Sequence, residues 1–160
     1  MLERKRFEVE YAPLFDKKLL GATVYSPLAA GFLSGKHILE GEKNSRIITD
    51  PMYKILVYDT YMNEAKKDNS IRIIKGLKEI ADELKCTLAQ MAFAWVLKNP
   101  DVTAAITGAS SPKQIDENIG CLEVCKLLTP EVLEKIEKVL QTRPEPTINW
   151  RTGQFNPPRR

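Results

Sequence analysis

The 160-residue sequence predicts an α/β fold with parallel strands, and two observations carry that reading. Two isolated runs, residues 21–25 and 102–107, are short, apolar and rich in β-branched side chains, and glycine or proline bounds them. Each feeds into segments whose apolar residues recur at helical spacing, the pattern of a parallel sheet covered by helices.

The elements follow in order. Residues 8–20 predict a short helix, with Val9, Leu14 and Leu19 apolar and Pro13 marking an irregular start. Residues 21–25 are read as a buried strand. Residues 38–69 are polar, with a weak helical pattern over 53–64; so long an excursion is either a functional lid or a segment without fixed structure. Beyond it Ile73, Ile74, Leu77, Ile80, Ala81 and Leu84 recur at helical spacing, with Asn69 or Ser70 as the cap. Thr87-Leu88-Ala89-Gln90 has the form of a capping box. The helix it opens turns Leu88, Met91, Ala92 and Trp95 inward and stops at Asn99-Pro100. After the second buried strand, at 102–107, Ser111-Pro112 opens a helix that ends near Gly120. Thr129-Pro130 opens another, with Val132, Leu133, Ile136, Val139 and Leu140 on its apolar face. Residues 144–160 carry four prolines and no apolar period, and form a tail, disordered or docked on a neighbour. The division is thus a domain over 1–143 and a tail over 144–160.

Composition narrows the class. A 43% apolar share supplies a core, and no run approaches the roughly 20 apolar residues of a membrane span. The N-terminus lacks the apolar centre of a signal peptide, so an intracellular, cytoplasmic chain is expected. The net charge is +3, from 24 basic and 21 acidic residues that are interspersed. There is no basic stripe and no set of stacking aromatics for nucleic acid. Three cysteines make no disulfide framework, and Cys121 and Cys125 lack the further ligands a metal requires, so reduced, partly buried thiols are expected.

The residues with chemical interest gather at the ends of the two strands. Gly108-Ala109-Ser110 follows a strand and precedes a helix, whose N-terminus offers free amides and partial positive charge to an anion. Ser110 and Ser111 add hydroxyls, and Lys36 and Arg46 bring full charges. The plainer reading is a capped helix with surface cations. Ser34-Gly35-Lys36 is no P-loop, because only three residues separate Gly31 from Gly35 and His37 stands where a Mg²⁺-binding hydroxyl is needed. Tyr25, closing the first strand beside Pro27, is either a flat face for a planar ligand or an ordinary rim tyrosine. His37, the single histidine, has no motif partner and is expected at the surface. Glu40 with Glu42, and Glu134 with Glu137, read as solvated faces rather than as a hydrolytic dyad.

Three pieces taken together, Tyr25-Ser26-Pro27-Leu28-Ala29-Ala30-Gly31-Phe32-Leu33-Ser34-Gly35-Lys36, then Ser45-Arg46, then Gly108-Ala109-Ser110 with Gln114, Glu117 and Asn118, resemble the dinucleotide-phosphate grip of the aldo-keto reductases, most closely the potassium-channel β-subunit branch. The resemblance runs over about residues 20–140. It implies the C-terminal part of a (β/α)8 TIM barrel, with 21–25 as the seventh strand and 102–107 as the eighth, incomplete as an isolated barrel. It implies NADP(H) as cofactor. Tyr25 would stack at the nicotinamide, where channel-subunit relatives carry Trp. Ser26, Pro27, Leu28 and Gly31 would line the pyrophosphate path, with Gly108 among the cofactor contacts. Lys36, Arg46 and Ser110 would face the pyrophosphate and 2′-phosphate, and Gln114, Glu117 and Asn118 would surround the adenosine. The family's catalytic Asp, Tyr, Lys and His belong to the first half of the barrel, so no residue here is assigned a catalytic role.

Two strands cannot close a barrel, and their edges leave backbone groups unpaired. The resemblance therefore implies one of two functions. The chain contributes to NADPH-dependent carbonyl reduction once the missing barrel half is supplied, or it is a non-catalytic subunit of a larger assembly, a channel-subunit-like role included. Its expected partners are the missing half or other subunits that cover the strand edges. An autonomous small nucleotide-binding domain fits least, because two strands do not provide a layered core.

Overall fold

The chain enters through a π-helical turn, Arg6–Glu10, that continues as α1 (Ala12–Lys18), with Pro13 in the first turn where its missing N–H costs nothing. Strand β1 (Ala22–Val24) leads into a tight loop, a 3-10 turn at Phe32–Ser34 and the single-turn α2 (Lys36–Leu39). Next, α3 (Pro51–Tyr53), capped by the Asp50 side chain, widens into a π-helical stretch at Lys54–Met62. Then come α4 (Lys67–Glu83), α5 (Leu88–Leu97), β2 (Val102–Ala105), α6 (Pro112–Ile119), α7 (Cys121–Leu127) and α8 (Pro130–Leu140). Two short strands, β3 (Thr147–Asn149) and β4 (Gln154–Asn156), follow. This computed structural model describes residues 1–18, 20–39, 50–145, 147–149 and 154–156.

The fold is α/β and mostly helical, with β1 and β2 parallel: Ala22 pairs with Val102, Thr23 with Ala104 and Val24 with Ala105, across an irregularity after Ala22. Parallel neighbours need a crossover, and the helices between them supply it. β3 and β4 form a separate antiparallel pair.

The core lies in the helical layer. Ile73, Ile74, Leu77, Ile80 and Ala81 of α4 are buried as their spacing requires. In α5 the buried set is wider than the inward stripe of Leu88, Met91, Ala92 and Trp95, because Phe93, Ala94 and Val96 are buried too. A helix apolar on all sides is one with neighbours on all sides, and α5 packs on α4, α6, α7 and β2. The Thr87–Gln90 capping box forms as expected: Gln90 N donates to Thr87 Oγ1 and Thr87 N donates to Gln90 Oε1. Ser111 and Thr129 cap α6 and α8, each followed by proline.

The N-terminal segment is latched to this layer by a buried cation. Arg4 donates from Nε and Nη2 to both Glu8 carboxylate oxygens, at 2.9 and 2.8 Å, and from Nη1 to Glu137 Oε2 at 2.5 Å. Its guanidinium lies over the Trp95 ring, 5.1 Å from the centroid. Burial alone would lower the Arg4 pKa, but its hydrogen bonds to Glu8 and Glu137 prevail and raise it. Nearby, Thr142 Oγ1 donates to the Met1 carbonyl.

Several expectations are corrected. Glu137 is no solvated carboxylate; it is buried under Arg4, while Glu134 does stay in solvent, paired with Arg143. Leu14 is exposed, and Phe15 takes the inward position in α1. The strands are not buried: Thr23, Thr103 and Ala104 are exposed, since helices cover the pair only in part. Helix α4 begins at Lys67, before Asn69 and Ser70; instead of capping, Ser70 Oγ donates to the Tyr61 carbonyl and Asn69 accepts from Arg72. The helix opened by Ser111-Pro112 ends at Ile119 with Gly120 as its cap, as expected, but a further helix, α7, follows at once where none was expected. Residues 147–156 contain a strand pair within the expected tail. Leu19, Glu40, Glu42, Ser45 and Arg46 lie outside the described residues.

Candidate functional site

Parallel pairing brings the C-terminal ends of β1 and β2 to one edge. Beyond the last paired residues, Ile106 N donates to the Val24 carbonyl at 2.8 Å, so the loops at Tyr25 and at Thr107 leave side by side. Tyr25 is 83% exposed there, an aromatic face with nothing packed on most of it.

The loop after Tyr25 is closely hydrogen-bonded within itself and built on left-handed residues. Ser26, Ala29 and Ala30 have φ of 50°, 49° and 54°, left-handed values that cost a non-glycine residue about 1–2 kcal/mol each. Compensation comes from hydrogen bonds: Ala30 N donates to Ser26 Oγ at 3.0 Å, and Leu33 N to the Leu28 carbonyl. Every amide over residues 29–35 has an acceptor inside the loop. The expected pyrophosphate path along Ser26, Pro27, Leu28 and Gly31 is therefore a preformed turn whose amides beyond Leu28 are already engaged. Gly35, at φ 77°, anchors its far end: a Cβ there would meet Leu88 Cδ1 at 2.6 Å, so only glycine lets the loop lie on the core. Lys36 follows, exposed and without an ion pair among the described residues. His37, expected at the surface, is half-buried, its Nε2 near Gly31.

At the second strand end, Gly108, Ala109 and Ser110 are exposed, and a Cβ on Gly108 would meet nothing within 4 Å. Ser110 directs two donors at one point: its N and Oγ lie 2.7 and 3.0 Å from Gln114 Oε1. Gln114, Glu117 and Asn118 stand three and four residues apart, on one face of α6. Asn118 Nδ2 donates to Thr107 Oγ1 at 3.2 Å, tying that face to the end of β2.

Gln90 was legible only as a cap, yet it also positions this helix. Its Oε1 accepts within the capping box while its Nε2 donates to the Glu117 carbonyl at 2.8 Å. Beside the site lies a cavity of about 450 Å³, walled by Phe93, Leu97, Ala105, Ile115, Ile119 and Leu122 and sharing Gly108 and Asn118 with it. Cys121 opens into the same cavity, and burial raises its thiol pKa.

The arrangement can present hydroxyl and amide donors, one cation and an aromatic face to an elongated anionic ligand. No described helix is long and apolar enough to cross a membrane. The model of the aldo/keto reductase family matches residues 1–141. The Arabidopsis thaliana protein named "Probable voltage-gated potassium channel subunit beta" is 41% identical over 151 residues, covering 94% of this chain and 44% of its own length. A protein of the same name from Oryza sativa subsp. japonica matches to the same extent. The chain thus spans less than half the length of these relatives. It belongs to the aldo/keto reductase family, and is similar along nearly all its length to the channel β-subunit-type members.

Proposed function

We propose that this chain carries the phosphate- and adenosine-holding part of an NADP(H) site within an aldo/keto reductase-type barrel, and contributes to NADPH-dependent carbonyl reduction when the rest of that barrel is supplied. The observation that carries the reading is the convergence of Ser110 N and Oγ on a single oxygen acceptor at the mouth of the strand pair. A phosphate oxygen is the same kind of acceptor as Gln114 Oε1, Gly108 leaves open space, and Lys36 is free to bring charge. Tyr25 would hold the nicotinamide end, Ser26, Pro27, Leu28 and Gly31 the span between, and Glu117 and Asn118 the adenosine; Arg46 is proposed from its motif alone. Reduced nicotinamide, when bound, supplies the hydride. This chain's share is to bind and orient.

A second reading, a non-catalytic subunit of a larger cytoplasmic assembly, channel-subunit-like or otherwise, is favoured by the names of the relatives and by the uncovered strand pair. Titration with NADPH and NADH, read by nicotinamide fluorescence, tests the cofactor site on the chain alone and with the remaining length of the Arabidopsis relative co-expressed. Loss of one charge-assisted contact in Lys36→Ala should weaken NADPH by about ten- to a hundredfold, from ~1.5–3 kcal/mol per such bond, and NADH by less, because NADH shares the pyrophosphate but lacks the 2′-phosphate. Equal affinity for the two nucleotides in both preparations overturns the reading.

A further inference from the structure

Helix α6 carries Glu117 and Asn118, yet none of its residues is buried, and its two isoleucines, Ile115 and Ile119, are more than half exposed. Helices are ordinarily held by a buried apolar face. This one is tied by polar contacts: Asn118 Nδ2 donates to Thr107 Oγ1, and Gln90 Nε2 donates to the Glu117 carbonyl from 27 positions away. The Gln90 tie is the shorter, 2.8 against 3.2 Å, and it is partly shielded from water, whereas the other is exposed. Gln90 is itself fixed on its other side, because its Oε1 accepts from Thr87 N at 3.0 Å. A capping box is served equally well by glutamate at this position. An amide accepts with one atom and donates with the other, so the link to α6 requires glutamine. Gly120 completes the seat: a Cβ there would meet Gln90 Nε2 at 2.5 Å, although its φ of −55° is open to any residue.

We infer that Gln90 is a positioning residue of the proposed cofactor site: bound at once to the α5 cap and to the Glu117 carbonyl, it sets where α6 holds Glu117 and Asn118 for the adenosine. The inference rests on the NADP(H) reading for its ligand, and on the hydrogen bonds alone for its hold on the helix. Helix α5 is enclosed by α4, α7 and β2, and its buried residues make its N-terminal end a fixed point. Through Gln90 that fixed point is passed to a helix with no buried residue of its own. Side chains that grip a ligand need supporting elements held to within about 0.5 Å, and hydrogen bonds from behind the site supply that hold.

Gln90→Glu separates the two uses of the side chain. It keeps an acceptor for Thr87 N but sets a carboxylate oxygen against the Glu117 carbonyl, and two acceptors share no hydrogen. In the full chain the expected result is a urea midpoint close to the parent's, with amide exchange in α6 about three- to tenfold faster. Gly120→Ala tests the same link by a second route: alanine suits a helix better than glycine, yet its Cβ displaces the Gln90 amide and should loosen α6 equally. Adenosine 2′,5′-bisphosphate is then titrated by calorimetry into the chain alone and with the remaining length of the Arabidopsis relative co-expressed. Both variants should bind it about three- to tenfold more weakly than the parent. In a Glu117→Ala background the Gln90→Glu step should lower that affinity by no more than about twofold, a non-additivity that general damage would not produce. Unchanged exchange at α6 in both variants overturns the inference, and so does an equal loss of affinity with and without Glu117→Ala. A parent that binds no adenosine 2′,5′-bisphosphate in either preparation overturns the cofactor reading and the adenosine role with it, while faster exchange still supports the hold of Gln90 on α6.

Discussion

The helical layer and the strand pair of this molecule are finished to different degrees. In the layer of α4, α5 and α8, apolar residues meet apolar residues, and even a full charge is buried with partners for its donors: Arg4 has Glu8 on one side and Glu137 on the other. At the strand pair, isoleucines and a leucine face solvent beside an open edge, and the residues with chemical potential are exposed. Stability is concentrated in one region and binding capacity in the other. The lesson is that a segment can bury a continuous helical core and still leave its strand pair uncovered.

Substitutions can break or sharpen that contrast. The largest effect should come from Arg4→Ala, which leaves Glu8 buried without its cation and Glu137 with only the longer 3.7 Å contact to Arg143; a loss of about 3–5 kcal/mol is expected in urea unfolding. Arg4→Met should cost clearly less if Glu8 and Glu137 are replaced with apolar residues at the same time, because the network is costly to break rather than costly to lack. Thr87→Ala comes next. Removing the cap should cost about 1 kcal/mol, while Gln90→Ala, which deletes the donor to the Glu117 carbonyl, should speed exchange at the C-terminal end of α6. The smallest effect belongs to the strand side: Ile115→Ser should change unfolding stability by no more than about 0.5 kcal/mol. If it costs as much as a core residue, the cavity is not open and the contrast fails.

Much of the helical layer was legible in the sequence because its signals are local. The spacing of Ile73, Ile74, Leu77, Ile80 and Ala81, the Thr87–Gln90 box, and proline after Ser111 and Thr129 each act within one or two turns. The latch was not legible, since Arg4 and Glu137 are 133 positions apart and Glu137 sits among residues that alone look solvated. Helix α7 was not legible because it starts directly after the stop at Gly120 and has no side-chain cap to announce it. The strands were read as buried from their composition, and composition does not tell which neighbours are present to bury them. At the site, the order of Tyr25, Gly31, Lys36, Gly108, Ser110 and Gln114 carried the family; the left-handed loop, the double use of Gln90 and the cavity needed three dimensions.

The hydrogen bond from Thr142 to the Met1 carbonyl, with the Arg4–Glu137 pair beside it, gives the domain a single port. Anything joined ahead of residue 1 and anything following residue 143 must depart from the same spot. Fusions at both ends would crowd one another there, and a short tether between them would close the backbone into a ring without disturbing the packing.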